Sequence, residues 1–470
     1  MSRRSLVARL DWLSILLFLV LVLLGWLNIY SAEGNEVQAS IFSFARRSGL
    51  QFLWIAAALL LAVFVLLIDA RAYYVLAYYI YALGALSLVL VLLFGEEVNG
   101  SRSWLALGSM RLQPTEFTKF ATALALARLM GRFNFHLNTP RSWALVLLIL
   151  MLPVGLIVLQ NDIGSALVYS AFIIVLYREG MPSWTLLLMG LVVLLFFLEL
   201  LYDRLYILMG VLAGALLFYS VVTRAPRRVL RMLAILAMAV LVCYVAREFW
   251  HLDFPVYFVL LWPALLCTVV FMVWALLARQ RSALNLGWVV LLCVATSFSV
   301  DYVFHNILDT HHQRRINDML GIESDLQGWG YNVNQSKIAI GSGGWLGKGY
   351  LQGTQTKYSF VPEQSTDFIF CTVGEEWGFL GGAVMIGLFL TLILRIFMLA
   401  ERQKEPFHRI YGYGVGAVFL FHTAINIAMT IGLFPVIGIP LPFFSYGGSS
   451  LWAFTVMLFI FLRFDAVRLH

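Results

Sequence analysis

Four places in an otherwise apolar sequence carry groups able to do acid–base or ionic chemistry, each within or at the end of a long hydrophobic run. Such positions are costly for ionisable groups and mark functional sites by default. Asp367 stands directly before Phe-Ile-Phe-Cys-Thr-Val-Gly-Glu-Glu and an apolar run long enough to cross a bilayer, which puts its carboxylate at a water–lipid boundary. It serves there either as a proton acceptor or as a cap on the helix dipole. Gln113-Pro-Thr-Glu-Phe-Thr-Lys119 opens another run, with proline in the first turn and Glu116 and Lys119, three apart, on one helix face. That pair is either a substrate contact or a self-neutralising ion pair that locks the helix start. In Gln160-Asn-Asp-Ile-Gly-Ser165, Asp162 offers chemistry or simply N-caps a tight turn. The fourth place, Gly438-Ile-Pro-Leu-Pro-Phe-Phe-Ser-Tyr-Gly-Gly-Ser-Ser450, includes Ser445 and reads as a re-entrant segment. Non-helical backbone at membrane depth is tolerated only inside protein or along a cavity.

Asp367 is delivered by a stretch with six glycines between residues 335 and 353. A regular helix or strand does not use so many, so irregular backbone shaped for close approach is expected. Gly347-Lys348 does not complete a phosphate loop, because the opening glycine would fall at Ser342 and Gly349 replaces the required Ser or Thr. On a helix starting at Asp367, the residues Cys371, Gly374 and Gly378 follow on one face while Glu376 points away, so the carboxylate is expected to head a groove of small residues.

The elements that position these groups are membrane spans. Hydrophobic residues make up 61% of the 470 and charged residues 12%, with a mean hydropathy of +0.87. That is the composition of a polytopic membrane protein, not of a soluble domain with a large core. A net charge of +7 could point to nucleic acid, but Lys and Arg gather in short loops between apolar runs, as the positive-inside rule requires. Charge therefore reports topology, and no nucleic-acid partner is expected. Cys243, Cys267, Cys293 and Cys371 fall in apolar segments without a ligand or pairing pattern. The basic N-terminus and the apolar run after it read as a retained first span, since no small-residue cleavage site follows cleanly.

Apolar runs at about 10–30, 49–68, 73–94, 115–131, 142–160, 163–177, 184–201, 206–222, 229–246, 256–278, 285–304, 367–396, 409–432 and 445–463 give an all-α fold of about fourteen transmembrane helices. Arginines 3, 4, 9, 71, 128, 132, 141, 224, 227, 228, 231, 279 and 281, the basic stretch Arg395 to Arg409 and Arg468 mark cytoplasmic ends. Residues 305–366 are then a large extracytoplasmic loop, long enough to be functional or disordered, and its tryptophans, tyrosines and glycines argue for an ordered cap. Arg46 and Arg47 break the rule on an outer loop. His422 and Asn426 share a helix face and read as interhelical hydrogen-bonders. Glu199 reads as reaching the interface from a span end, and His311-His312 lacks the company a structural metal needs.

Taken together and in order, Asn99-Gly-Ser-Arg-Ser-Trp104, Gln113–Lys119, Gln160–Ser165, Gln335–Gln355, Pro362–Gly378 and Pro440–Ser449 resemble the SEDS family of polytopic bacterial cell-wall polymerases, over most of the chain. Gln335-Ser-Lys-Ile-Ala-Ile-Gly-Ser-Gly-Gly and Gly347-Lys-Gly-Tyr-Leu-Gln-Gly-Thr-Gln355 look more like the family's elongation member than its division member. The family pattern has ten spans. Residues 202–304 therefore look like a four-span insertion between a core of 1–201 and a core of 367–470, with 305–366 as the outer loop.

The resemblance implies peptidoglycan glycosyltransfer in cell elongation and shape maintenance. Lipid II, an undecaprenyl-pyrophosphate-linked disaccharide pentapeptide, would be polymerised at the outer face of the bacterial cytoplasmic membrane. Asp367 matches the family's catalytic aspartate, and a partly dehydrated carboxylate suits a general base for the attacking sugar hydroxyl. The leaving pyrophosphate needs cations, for which the candidates are Lys119 oriented by Glu116, Arg102, Arg314, Lys337 and Lys348, or a divalent cation such as Mg2+ or Mn2+. Asp162 and Ser445 are further substrate-binding candidates, and the small-residue face below Asp367 is one place for the polyprenyl tails. Implied partners are a class B penicillin-binding protein and other membrane proteins of the elongation complex. Two rivals remain: a lipid II flippase, which would want polar groups through the midplane, and a non-catalytic scaffold for a penicillin-binding protein.

Overall fold

In a bilayer an apolar segment must satisfy its backbone hydrogen bonds internally, and single helices do so. The computed structural model describes residues 8–33, 41–98, 100–108, 110–133, 135–137, 139–224, 226–251, 255–308, 310–322, 330–358 and 360–468. Arg3, Arg4, Asn99 and the 323–329 part of the expected loop lie outside them, as do the side chains of His311 and His312. The protein is a predominantly helical multi-pass membrane protein. Among the described residues, twelve helices are long and apolar enough to cross a membrane: α1 (Trp12–Ala32), α2 (Arg47–Leu67), α3 (Ala70–Phe94), α5 (Pro140–Leu159), α8 (Ser183–Leu201), α9 (Arg204–Thr223), α10 (Pro226–Phe249), α11 (Tyr257–Leu277), α12 (Arg281–Tyr302), α16 (Ile369–Glu401), α17 (Pro406–Thr430) and α18 (Gly448–Val467).

The other two of the fourteen expected spans are shorter. One is α4 (Pro114–Met130), whose 17 residues rise only about 26 Å against a hydrocarbon core of about 30 Å. Most of its side chains are buried, so it is matched to protein neighbours more than to lipid. The other is broken into α6 (Ile163–Leu167), a 3₁₀ turn (Val168–Phe172) and α7 (Ile173–Arg178).

The chain divides into two compact units, Met1–Met181 with Asp325–His470, and Pro182–Ser324. These limits differ from the expected insertion at 202–304: α8 belongs to the second unit, where Leu195 packs with Ile207 of α9 and Cys293 of α12. Glu199 finds its partners inside this unit. Its side chain is 5% exposed, accepts a hydrogen bond from Ser297 and lies 3.8 Å from Arg204, whose guanidinium sits over the Tyr257 and Phe298 rings. α13 (Thr310–Leu320) closes this unit.

In the first unit three short strands, β1 (Glu96–Val98), β2 (Ser101–Leu107) and β3 (Met110–Leu112), form an antiparallel sheet in that order between α3 and α4. The all-α expectation contained no strands here. Gly100 and Gly108 both take positive φ in the two-residue turns that reverse the chain.

The glycine-rich stretch begins as helix, not as loop: α14 spans Tyr331–Ser342. Its face of Val333, Ala339 and Ile340 packs with Val361, Phe368 and Cys371. The irregular backbone is 343–353, followed by the short α15 (Thr354–Lys357), and what it approaches closely is α16. Inside α16, Gly378 leaves the helical region at φ +65°. A regular helix would pair Phe379 N with Glu375 O and Leu380 N with Glu376 O. Instead Phe379 N and Leu380 N donate to the carbonyls of Gly344 and Trp345 (2.9 and 3.1 Å), while Glu375 O and Glu376 O accept from Lys348 N and Gly349 N (both 3.0 Å). Four backbone groups freed by the kink are thus repaired by the loop. The small-residue face expected to form an open groove is filled in the same way, with Ile340 against Gly374 and 344–347 against Gly378.

Side chains lock the loop further. The Glu375 carboxylate is fully buried and accepts from Lys348 Nζ (2.7 Å), Thr354 Oγ1 (3.2 Å), Gln355 N (2.9 Å), Thr356 N (2.9 Å) and Thr356 Oγ1 (3.0 Å). Glu376 turns the other way and accepts from Ser31 of α1. Burial pushes the Tyr350 hydroxyl up to about 12, and it donates to the Leu27 carbonyl at 3.0 Å.

Candidate active site

The first side chain of α16 is Ile369 and its N-cap is Phe368, so Asp367 does not cap the helix and belongs to the turn before it. Every carbonyl from 365 to 367 is held. Ser365 O accepts from Tyr446 N (2.8 Å), Thr366 O from Ser445 Oγ (2.6 Å) and Asp367 O from Asn426 Nδ2 (2.9 Å). The Ser365 hydroxyl accepts from Arg47 Nη1 (2.6 Å), and Gln364 Nε2 donates to Thr356 O (2.7 Å). The Asp367 side chain itself stays partly exposed, with Oδ2 3.4 Å from where a Cβ on Gly438 would stand. Gly438 has φ +70°, which glycine adopts without strain.

Gly438 belongs to the non-helical segment 431–447 that joins α17 to α18, exposed at Ile431, Leu433 and Gly438 and buried in protein over 441–445. Its hold on the turn comes from few residues. Asn426 Nδ2 donates also to Ile439 O (2.8 Å), and Ser445 Oγ, which donates to Thr366 O, accepts from Leu441 N (2.9 Å). Phe443 takes φ +63°, a costly conformation for a large side chain, kept by rings packed from three helices: Phe18 at 4.9 Å, Phe419 at 5.4 Å and Phe454 at 6.1 Å. Gly25 of α1 and Gly164 of α6 let neighbouring backbone approach, since a Cβ at Gly164 would stand 2.1 Å from Ile437 O.

One layer deeper lies an ionic triad. Lys119 Nζ contacts Glu116 Oε1 at 2.7 Å and His422 Nε2 at 2.9 Å, and His422 Nδ1 lies 3.0 Å from Pro440 O. The lysine only donates, so Nε2 must accept and Nδ1 carries the proton given to Pro440. Lys119 and Glu116 are 1% and 2% exposed.

The candidate substrate contacts fall in several different places. Glu116 and Lys119 are buried against one another and against His422. Lys348 is engaged by Glu375 and Thr354 as a latch on the loop. Asp162 is the N-cap of α6, accepting from Ser165 N and Oγ (3.0 and 2.8 Å). Ser445 uses both its proton and its lone pair on backbone. Arg102 is exposed on β2, 3.9 Å from Glu97, and Arg314 is exposed on α13 of the second unit. Lys337 is exposed on α14, its chain end resting over Gly432.

Sequence inspection missed Arg47. Half exposed, it bonds Ser365, lies 4.0 Å from Glu363 and covers the Tyr446 ring at 5.7 Å. Its signal was present: Arg46 and Arg47 broke the positive-inside pattern because Arg47 serves this turn and Arg46 packs over Tyr30. No group of three or more His, Cys, Asp or Glu side chains converges to hold a metal among the described residues.

Comparison with known proteins covers nearly the whole chain. The model of the cell cycle protein family FTSW_RODA_SPOVE matches residues 11–213 and 251–469, so within the expected insertion it skips only 214–250. The peptidoglycan glycosyltransferase RodA of Treponema pallidum (strain Nichols) is 31% identical over 466 residues, 98% of either chain. The peptidoglycan glycosyltransferase MrdB of Escherichia coli (strain K12) is 28% identical over 443 residues, 94% of this chain and 90% of its own. Among solved structures, a chain from a peptidoglycan synthase complex, studied for its coordination of polymerization and crosslinking, superposes with a TM-score of 0.62 at 27% identity over 98% of each chain. The rod shape determining protein RodA of Thermus thermophilus shares the fold with a TM-score of 0.56 at 22% identity, again over 98% of each chain.

Proposed function

This chain belongs to the FtsW, RodA and SpoVE family of cell cycle proteins, and from that premise we propose that it is a peptidoglycan glycosyltransferase of cell elongation, with Asp367 as general base. The observation that carries the role of Asp367 is its setting: a carboxylate left partly exposed on a turn whose three carbonyls are each pinned by a donor from another element. A base must keep its reacting oxygen in place while the substrate changes. As the acceptor hydroxyl oxygen bonds to the anomeric carbon of lipid II, its proton passes to Asp367. The carbon–oxygen bond to the pyrophosphate breaks, and its electron pair leaves with the phosphate oxygen.

That leaving charge needs cations. Arg47, hydrogen-bonded to Ser365 two residues before Asp367, offers a guanidinium beside the site, and Lys337 is an exposed ammonium on α14. A divalent cation would have to be completed by substrate phosphates and water, as Mg2+ commonly is. The arginine pattern supports placing the site at the outer face of the cytoplasmic membrane. The likeness to a synthase complex supports a crosslinking partner, which we take to be a class B penicillin-binding protein.

The test is gel-resolved polymerisation of lipid II by the purified protein together with that partner, the partner's own catalytic serine disabled. Glycan ladders are expected from the wild type and none from folded Asp367→Asn. Ladders of undiminished intensity from Asp367→Asn would remove the base, and no ladders from the wild-type complex would transfer the argument to lipid II flipping, measured in liposomes, or to scaffolding.

A further inference from the structure

We propose that His422 and Asn426 are positioning residues of the transferase site, holding the segment 438–440 against the Asp367 turn; the proposal rests on Asp367 being the base. The two side chains stand one helical turn apart on the same face of α17 and are completely buried. Both end on backbone carbonyls of the segment: His422 on Pro440 and Asn426 on Ile439. Asn426 uses its second proton on Asp367 O, so one amide group ties the base's own backbone to the stretch of chain that runs beside its carboxylate. Prolines 440 and 442 lack N–H groups, which leaves the segment few donors of its own and makes side-chain donors from α17 its anchors.

The buried Glu116–Lys119 pair fits the same scheme. An ion pair this deep costs desolvation and is weak evidence for stability. Here it fixes a proton: with Lys119 donating to Nε2, the imidazole can carry its hydrogen only on Nδ1, toward Pro440. Glu116 and Lys119 thus act through His422 on Pro440, Ile439 and Gly438, and finally on the carboxylate. None of the four touches substrate, and all set where the base stands.

His422 allows the two halves to be separated. Asparagine places a donor where Nδ1 was and has nothing at Nε2, whereas glutamine places an acceptor near Nε2 and has no donor for Pro440. We would measure kcat and KM for lipid II polymerisation in the partner complex for His422→Asn, His422→Gln, Asn426→Leu and Asp367→Asn, with thermal melting to confirm folding. Expected is a kcat lowered about 10- to 100-fold in His422→Gln and Asn426→Leu with KM within about twofold, the signature of a displaced catalytic group. His422→Asn is expected to keep kcat within a few-fold of wild type. A wild-type kcat in folded Asn426→Leu, or His422→Asn failing as badly as His422→Gln, would overturn the proposal. Should Asn426→Leu not fold, the two histidine variants still decide it. An active Asp367→Asn is the separate outcome that removes the base; a dead Asp367→Asn beside a fully active Asn426→Leu removes only the positioning.

Discussion

Replacing Glu375 by Gln tests whether the loop 343–357 is held by the carboxylate or merely rests near it. Of the two oxygens, Oε1 accepts from Lys348, Thr354 and Gln355 N, and Oε2 from Thr356 N and its hydroxyl. In Glu375→Gln the amide oxygen does best at the Oε1 position, which sets the NH2 group against Thr356 N–H. The Thr356 hydroxyl can rotate to accept, but the backbone N–H cannot. One buried donor is therefore left unpaired, at about 1–3 kcal/mol, and the contact to Lys348 loses its charge. Lys348 is 26% exposed, so water recovers part of that second loss. The sum is about 2–4 kcal/mol against the docked loop, or an open population raised about 30- to 900-fold. Limited proteolysis of the native protein reads this directly, because cleavage tracks the open population when reclosing is fast. Thr356→Val, which removes one neutral hydroxyl, should cost only about 1 kcal/mol and serves as the lower rung. Cleavage of Glu375→Gln at the wild-type rate would refute the reasoning, since no buried N–H would then have depended on the carboxylate.

Gly378→Ala should open the same loop by about 3 kcal/mol or more, because its Cβ would stand 2.3 Å from Gly347 N and 2.8 Å from Trp345 C at a positive φ. Gly387→Ala on the same helix meets nothing within 4 Å and should leave proteolysis unchanged. Arg47→Gln should lower the initial rate of glycan formation about tenfold or more, with Arg47→Lys recovering part of it, as a charge on the leaving group requires; wild-type rates in Arg47→Gln would return Arg47 to a purely structural place.

Hydropathy made the membrane class and nearly every helix legible, because a span needs only length and apolar side chains. Asp367 was also legible, as a carboxylate at the start of such a run, although the helix begins one residue later than a capping role demands. What could not be read depends on partners far along the chain. Glu116 and Lys119 were correctly placed on one face, but their closure from solvent depends on His422, 303 residues away. The glycines at 343–349 announced a close approach without naming its object, since the kink at Gly378 becomes visible only when the loop's carbonyls and N–H groups are found on it. The sheet at 96–112 was hidden by its shortness, with Asn99-Gly100 and Gly108-Ser109 as its turn signals.

The kink at Gly378 bears on how this protein can be recombined. Residues 344–349 and 375–380 complete one another's backbone pairing, so neither carries its structure alone. A chimera that takes the loop from one relative and the helix from another inherits two halves of a hydrogen-bond ladder whose register, set by Gly347 and Gly378, must agree to the residue. The natural unit of exchange is therefore the whole stretch from α14 through the first turns of α16, and a boundary drawn at the membrane surface, where hydropathy would place it, cuts through the middle of that unit.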